Sequence, residues 1–87
     1  MRKSIYNSPK KWSKGDHAFW KQQVGKRLSQ AIDKHYGRRN HYKFAQEIGI
    51  SQGSLSEIVN GISLPSATTL FKIHHHTDID IRKILGG

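Results

Sequence analysis

From Asp16 onward, apolar residues recur at Phe19, Trp20, Val24, Leu28, Ala31, Ile32 and Tyr36, mostly three or four apart, which draws one stripe along a helix. The pattern predicts a first helix over about 16–36, with Asp16 as N-cap and Gly37 as a left-handed stop. Gly25 interrupts the run at a cost of about 1 kcal/mol relative to alanine. Asn40 can cap a short second helix with Phe44, Ala45 and Ile48 inward and Gly49 at its end. Ser51 can cap a third, with Leu55, Ile58 and Val59 inward and Gly61 as its stop. Pro65 and Ser66 open a fourth helix through about His75, its apolar face formed by Leu70, Ile73 and Phe71. A fifth runs from about Asp80 to Leu85. No segment alternates as a strand does, and no internal repeat occurs. The fold expected is all-α, with five helices.

Residues 1–15 break the pattern. They carry Arg2, Lys3, Lys10, Lys11 and Lys14 with Pro9, and their sizeable apolar groups are Ile5, Tyr6 and Trp12. This composition reads as a flexible basic arm ahead of one domain over 16–87. The chain has 87 residues, 34% of them apolar and 24% charged. A chain of that size buries about 60–65% of its unfolded surface, which excludes a deep enclosed active site. With no cysteine, neither a disulfide framework nor a thiolate zinc site can supplement the core. No apolar run approaches the ~20 residues needed to cross a bilayer, and Met1, Arg2 and Lys3 are not followed by the apolar stretch of a secretory signal. A soluble, cytoplasmic protein is expected.

Charge changes the picture most. The formal net charge is +9, yet residues 1–43 hold 12 Lys and Arg against two acids, whereas residues 44–87 hold three against four. All of the excess sits in the first half. Such asymmetry is the electrostatic signature of a polyanion ligand, either nucleic acid or an anionic membrane surface.

The informative stretch is His41 to Gly61. Ala45 is small where a second helix must cross closely, Gly49 supplies the left-handed backbone of a tight turn, and Ile50 plugs the angle between two helices. Phe44, Ile48, Leu55 and Ile58 would bury the pair against the first helix. Gln52, Gly53, Ser56 and Glu57 remain outward on the second member, with Ser54 nearer its edge. These are short, amide or carboxylate side chains suited to base edges in a major groove.

These residues resemble the Cro/repressor class of helix-turn-helix proteins, also called Xre-like or lambda-repressor-like. The likeness covers about Gly25 to Leu85. Gly25-Lys26-Arg27-Leu28 is similar to the family's start of helix 1, Phe44 through Gln52 to its helix-turn-helix, and Asn60-Gly61 followed by Pro65-Ser66 to its exit. The resemblance implies a five-helix bundle, usually dimeric, that binds operator DNA as a transcriptional regulator, often in phages or mobile elements. Gln52 matches the glutamine that opens the family's recognition helix and commonly pairs with adenine, as an amide can do bidentately. Gly53, Ser54 and Glu57 fall on positions that vary with operator sequence. His41, Ser51 and Asn60 fall on positions that commonly touch backbone phosphate, and a helix N-terminus with free amides also favours phosphate.

Two departures from the family pattern matter. Phe44 to Gly61 contains no Lys or Arg, and Glu57 turns a negative charge toward the groove, so affinity must come from elsewhere. Arg38, Arg39 and Lys43 cluster around the entry to helix 2, which in this family faces the DNA backbone. The spacing from Leu28 to Ala45 is about two residues longer than the family's usual. This enlarged basic connection is expected to replace missing phosphate contacts. The second departure is Gly53, where a base-reading side chain often stands; it either lets the helix approach a thymine methyl or discriminates weakly.

Other chemistries find little support. His74, His75 and His76 are consecutive on a helix and point about 100° apart, so they cannot close one metal site, and they read as surface histidines. No nucleophile triad or paired carboxylates can be argued from spacing, and phosphate-binding glycine patterns are absent. Trp12 and Trp20 read as core or arm anchors. The basic arm either lies along phosphates or is a solvated tail. The expectation is thus a non-enzymatic protein, without cofactor or metal and without membrane partner, that binds double-stranded operator DNA as a homodimer on a palindromic site. A bacterial or phage-encoded, nucleoid-associated repressor fits. Ile81, Ile84 and Leu85 are the candidate dimer contact. The alternative is a protein-interaction module, such as an antitoxin or partner-binding half of a regulatory pair, with DNA contact secondary.

Overall fold

The computed structural model describes residues 14–38 and 40–86. Arg2, Lys3, Lys10 and Lys11 of the expected arm, and Arg39 of the basic connection, lie outside the described residues.

Five helices follow in order: α1 (Lys14–Tyr36), α2 (His41–Ile48), α3 (Gln52–Val59), α4 (Ala67–His76) and α5 (Ile81–Leu85). α1 is the long central strut, against which α2, α3 and α5 all pack. α4 closes the far side against α2 and α5. Among the described residues the structure is all-α, as the periodicity predicts.

The stripe along α1 does its work from Trp20 onward. Val24, Leu28 and Ile32, each four apart, are fully buried and meet Phe44, Ala45 and Ile48 of α2, Leu55 and Ile58 of α3, Ile73 of α4, and Ile79 and Ile84 near α5. No polar or charged residue among the described ones is buried with them. Two expected core residues are not core. Phe19 is 62% exposed, because α1 overhangs the bundle and residues 15–19 are all exposed. Phe71 is 63% exposed. On α4 the inward row runs through Leu70 and Ile73, and at about 100° per residue Phe71 falls well off that row.

Gly25 turns from a weakness into a requirement. A Cβ there would overlap the Ile58 carbonyl oxygen and come within 2.9 Å of that of Val59. The missing side chain is what lets α1 touch the backbone of α3.

The junction of α1 and α2 departs from expectation. Asn40 occupies the N-cap position of α2, but its side chain makes no capping bond. Its amide instead donates back to the Tyr36 carbonyl, tying off the end of α1. The Tyr36 ring meets Phe44 edge-on at 5.5 Å, and its hydroxyl donates to Glu47. Burial first, and then that hydrogen bond and the Glu47 charge, push the phenol up to about 12. The bond belongs to the protonated phenol, so it persists throughout the neutral range.

Candidate nucleic-acid interface

α2 and α3 are joined by a tight turn whose glycine closes the end of α2. Gly49 adopts φ +79°, and its N–H donates to the Ala45 carbonyl at 2.9 Å while that of Ile50 reaches the same carbonyl at 3.0 Å. Such a left-handed terminus satisfies carbonyls that the end of a helix would otherwise leave open. Ile50 is half-buried in the angle of the pair. From α4, Lys72 donates its ammonium to the Gly49 carbonyl at 3.1 Å. A cation there complements the negative end of the α2 dipole. Nothing in the spacing of the sequence announces this contact, because Lys72 lies 23 residues downstream.

Ser51 caps α3 by accepting the Ser54 N–H at 3.0 Å, and the two hydroxyls lie 3.0 Å apart. At the other end, the Asn60 amide donates to the Ser56 hydroxyl at 3.1 Å. These serines and Asn60 are therefore held by one another while remaining exposed. With Leu55 and Ile58 buried, the outward face of α3 carries Gln52, Gly53, Ser54, Ser56 and Glu57, all exposed. Gly53 has open space around it, with only the Ser51 hydroxyl within 4 Å of a Cβ built there.

Beside this face lies a shallow concavity lined by His41, Gln52, Ser56 and Asn60, with Ser29 of α1 at its edge. The fold thus brings together residues from the start of α2 and both ends of α3. Ser29 was not legible as a site residue, since it sits inside the α1 stripe next to Leu28. A second open groove joins Ser29, Asp33, Arg38 and His41. The His41 Nε2 stands 3.6 Å from an Asp33 carboxylate oxygen.

Lys43 goes elsewhere. It lines a groove with His35, Tyr36, Glu47, the last two residues of α4 (His75 and His76) and the Thr77 and Asp78 that follow, not the one that holds Arg38 and His41. Arg38 and Lys43, the described members of the expected basic cluster, thus line different grooves on either side of the start of α2. Lys14 begins α1. His74, His75 and His76 are all exposed, with the His75 ring stacked on Phe71 at 5.5 Å. Among the described residues no set of three His, Cys, Asp or Glu could hold a metal ion.

The candidate dimer contact is corrected in one residue. Ile84 is 1% exposed and belongs to the chain's own core, whereas Ile81 and Leu85 are partly exposed and pack on its margin. A short helix that must seal the end of a small bundle commits its central side chain inward.

None of the described helices is long and apolar enough to cross a membrane. No curated protein and no solved structure gives a significant match to the chain. A family model described as helix-turn-helix matches residues 40–84, from the N-cap position of α2 into α5. This is a non-catalytic DNA-binding family. The matched span covers just over half of the chain and contains the capped α2–turn–α3 pair whole, so the chain belongs to the helix-turn-helix family of DNA-binding proteins, in its Cro/repressor superfamily.

Proposed function

We propose that the chain is a sequence-specific regulator of transcription that reads double-stranded operator DNA with α3, as a lambda-repressor-like homodimer of phage or mobile-element type. The observation that carries this reading is the outward face of α3. Gln52, Ser54, Ser56 and Glu57 are exposed amide, hydroxyl and carboxylate side chains, held on a capped helix whose first residue shares a concavity with His41. Side chains of this kind discriminate base edges, while phosphate contacts fix register. In this reading Gln52 faces a base, and His41, Ser51 and Asn60 face the backbone. Arg38, Arg39, Lys43 and the basic residues of the first 15 supply the sequence-independent attraction that α3 lacks.

Two recognition helices of a dimer enter successive major grooves when they stand about 34 Å apart, so the bound site should be a palindrome with half-sites one helical turn apart. Selection of bound sequences from a random duplex pool tests this directly. A palindromic consensus is the expected outcome, and enrichment of no sequence at low salt would refute the reading. Binding should also weaken steeply with salt. A protein-interaction module would show an association nearly indifferent to it.

Gln52→Ala should lose about 1–3 kcal/mol of specific binding and relax preference at one base pair, with the fold intact because the side chain is exposed. The selection repeated with that variant measures it; an unchanged consensus would remove Gln52 as a reader.

A further inference from the structure

An acid stands near the centre of the outward face of α3, one turn after a glycine. The buried Leu55 and Ile58 set the inward direction of that helix, and at about 100° per residue Gly53, Ser56 and Glu57 fall closest to the opposite one. Gln52 and Ser54 stand at the two edges. Glu57 is exposed, and among the described residues its carboxylate has neither an ion pair nor a hydrogen bond. Its backbone is held in place, because the Glu57 carbonyl accepts the Ile62 N–H at 2.8 Å and the Ser63 N–H at 3.2 Å. Side chains lean toward the N-terminus of their helix, so residue 57 overhangs the turn that begins at Gly53. The surface there is open, the Ser51 hydroxyl being 3.9 Å from a Cβ built on the glycine.

We propose that Glu57 determines specificity by accepting a hydrogen bond from the N4 amine of a cytosine, and that Gly53 leaves that base pair room to reach it. This rests on the reading of α3 as the helix that enters the major groove. A carboxylate accepts and cannot donate. In the major groove guanine presents the acceptors N7 and O6, thymine O4 and its methyl, adenine N7 beside its N6 amine, and cytosine the N4 amine alone. Cytosine is therefore the one base edge with no lone pair facing the carboxylate.

Much of the discrimination comes from penalty. Against any other edge the carboxylate gives up water without an unopposed donor in return, and desolvating an unpaired charge is costly. No cation between Phe44 and Gly61 offsets it, since that stretch holds neither Lys nor Arg. On duplex that lacks the right pair, the Glu57 charge adds only repulsion from the phosphates. A side chain at position 53 would fill the space over which residue 57 leans and keep the base pair away. Five residues of helix rise about 7.5 Å, so the pair read by Glu57 lies about two base pairs from the one read by Gln52.

The test is selection from a random duplex pool with the full chain and with Glu57→Gln, followed by the affinity of each for the selected and for a mixed-sequence duplex at fixed ionic strength. The parent should select a C·G pair at one position of each half-site. Glu57→Gln should lose about fivefold or more in preference at that position alone, the low end of what one good side chain–base contact discriminates. Its affinity for mixed-sequence duplex should rise about two- to fivefold as the repulsion goes. Asp78→Asn makes the same change in net charge on an exposed residue away from α3 and should keep the parent's preference. In the parent, replacing the selected cytosine by an analogue without the N4 amine should weaken binding by a similar factor, a readout that does not depend on any variant folding. An unchanged consensus with Glu57→Gln, an A·T pair at the position it alters, or an analogue bound as tightly as cytosine would each overturn the proposal. Enrichment of no sequence by the parent would instead overturn the DNA-reading role beneath it.

Discussion

Replacing Gly25 with alanine will destabilise the protein, although the same change in an isolated helix would help it. Alanine improves helix propensity by about 1 kcal/mol. Against that, the added methyl overlaps the Ile58 carbonyl oxygen and crowds that of Val59, and these are backbone atoms that no rotamer change can move. Overpacking typically costs about 1–3 kcal/mol, and more where the backbone itself must shift. A net loss of about 2 kcal/mol or more is expected by chemical denaturation, with α1 and α3 pushed apart. Gly53→Ala makes the matched comparison. There the Cβ meets nothing closer than 3.9 Å, so the fold should gain about 0.5–1 kcal/mol while the face presented to DNA acquires a methyl. If Gly25→Ala proves as stable as the parent, α1 and α3 do not approach so closely.

Ile84→Asp should unfold the monomer and not merely dissociate a dimer. Ile84 is 1% exposed and lies in the same apolar cluster as Ile79, Leu28 and Ile32. Losing its side chain alone costs about 2–5 kcal/mol, and leaving an unpaired carboxylate in its place adds to that. Small domains have stabilities of only about 5–15 kcal/mol, so the variant should lose most of its helical circular dichroism near 25 °C. A folded variant that sediments as a monomer, beside a dimeric parent, would return Ile84 to an interface between copies. Substitutions at the half-exposed Ile81 and Leu85 probe association with less damage to the core.

The fold was legible because α1, α2 and α3 each place apolar residues three and four apart with a glycine after the run, and both signals are local. Phe19 and Phe71 were misread because a stripe says which side of a helix is apolar, not how far the neighbouring helices extend along it or how wide a face they cover. Asn40 was misread because an asparagine before a helix can bond forward or backward, and here the end of α1 is near enough to take its amide. The exposed residues of α3 follow from the burial of Leu55 and Ile58, so that face could be read from spacing. Ser29, Asp33 and Lys72 could not. Ser29 and Asp33 reach the helix pair from α1 and Lys72 from α4, and such contacts exist only once those helices have packed.

The wholly apolar centre of the described bundle has a consequence for how the protein is used. With no ion pair or buried polar residue inside, cohesion there answers to temperature and chaotropes, and hardly to salt or to protons near neutrality. The grip on a polyanion answers to ionic strength instead. Fold and grip thus draw on different properties of the solvent, so a rise in ionic strength can release the nucleic acid and leave behind an intact protein, ready to bind again without refolding.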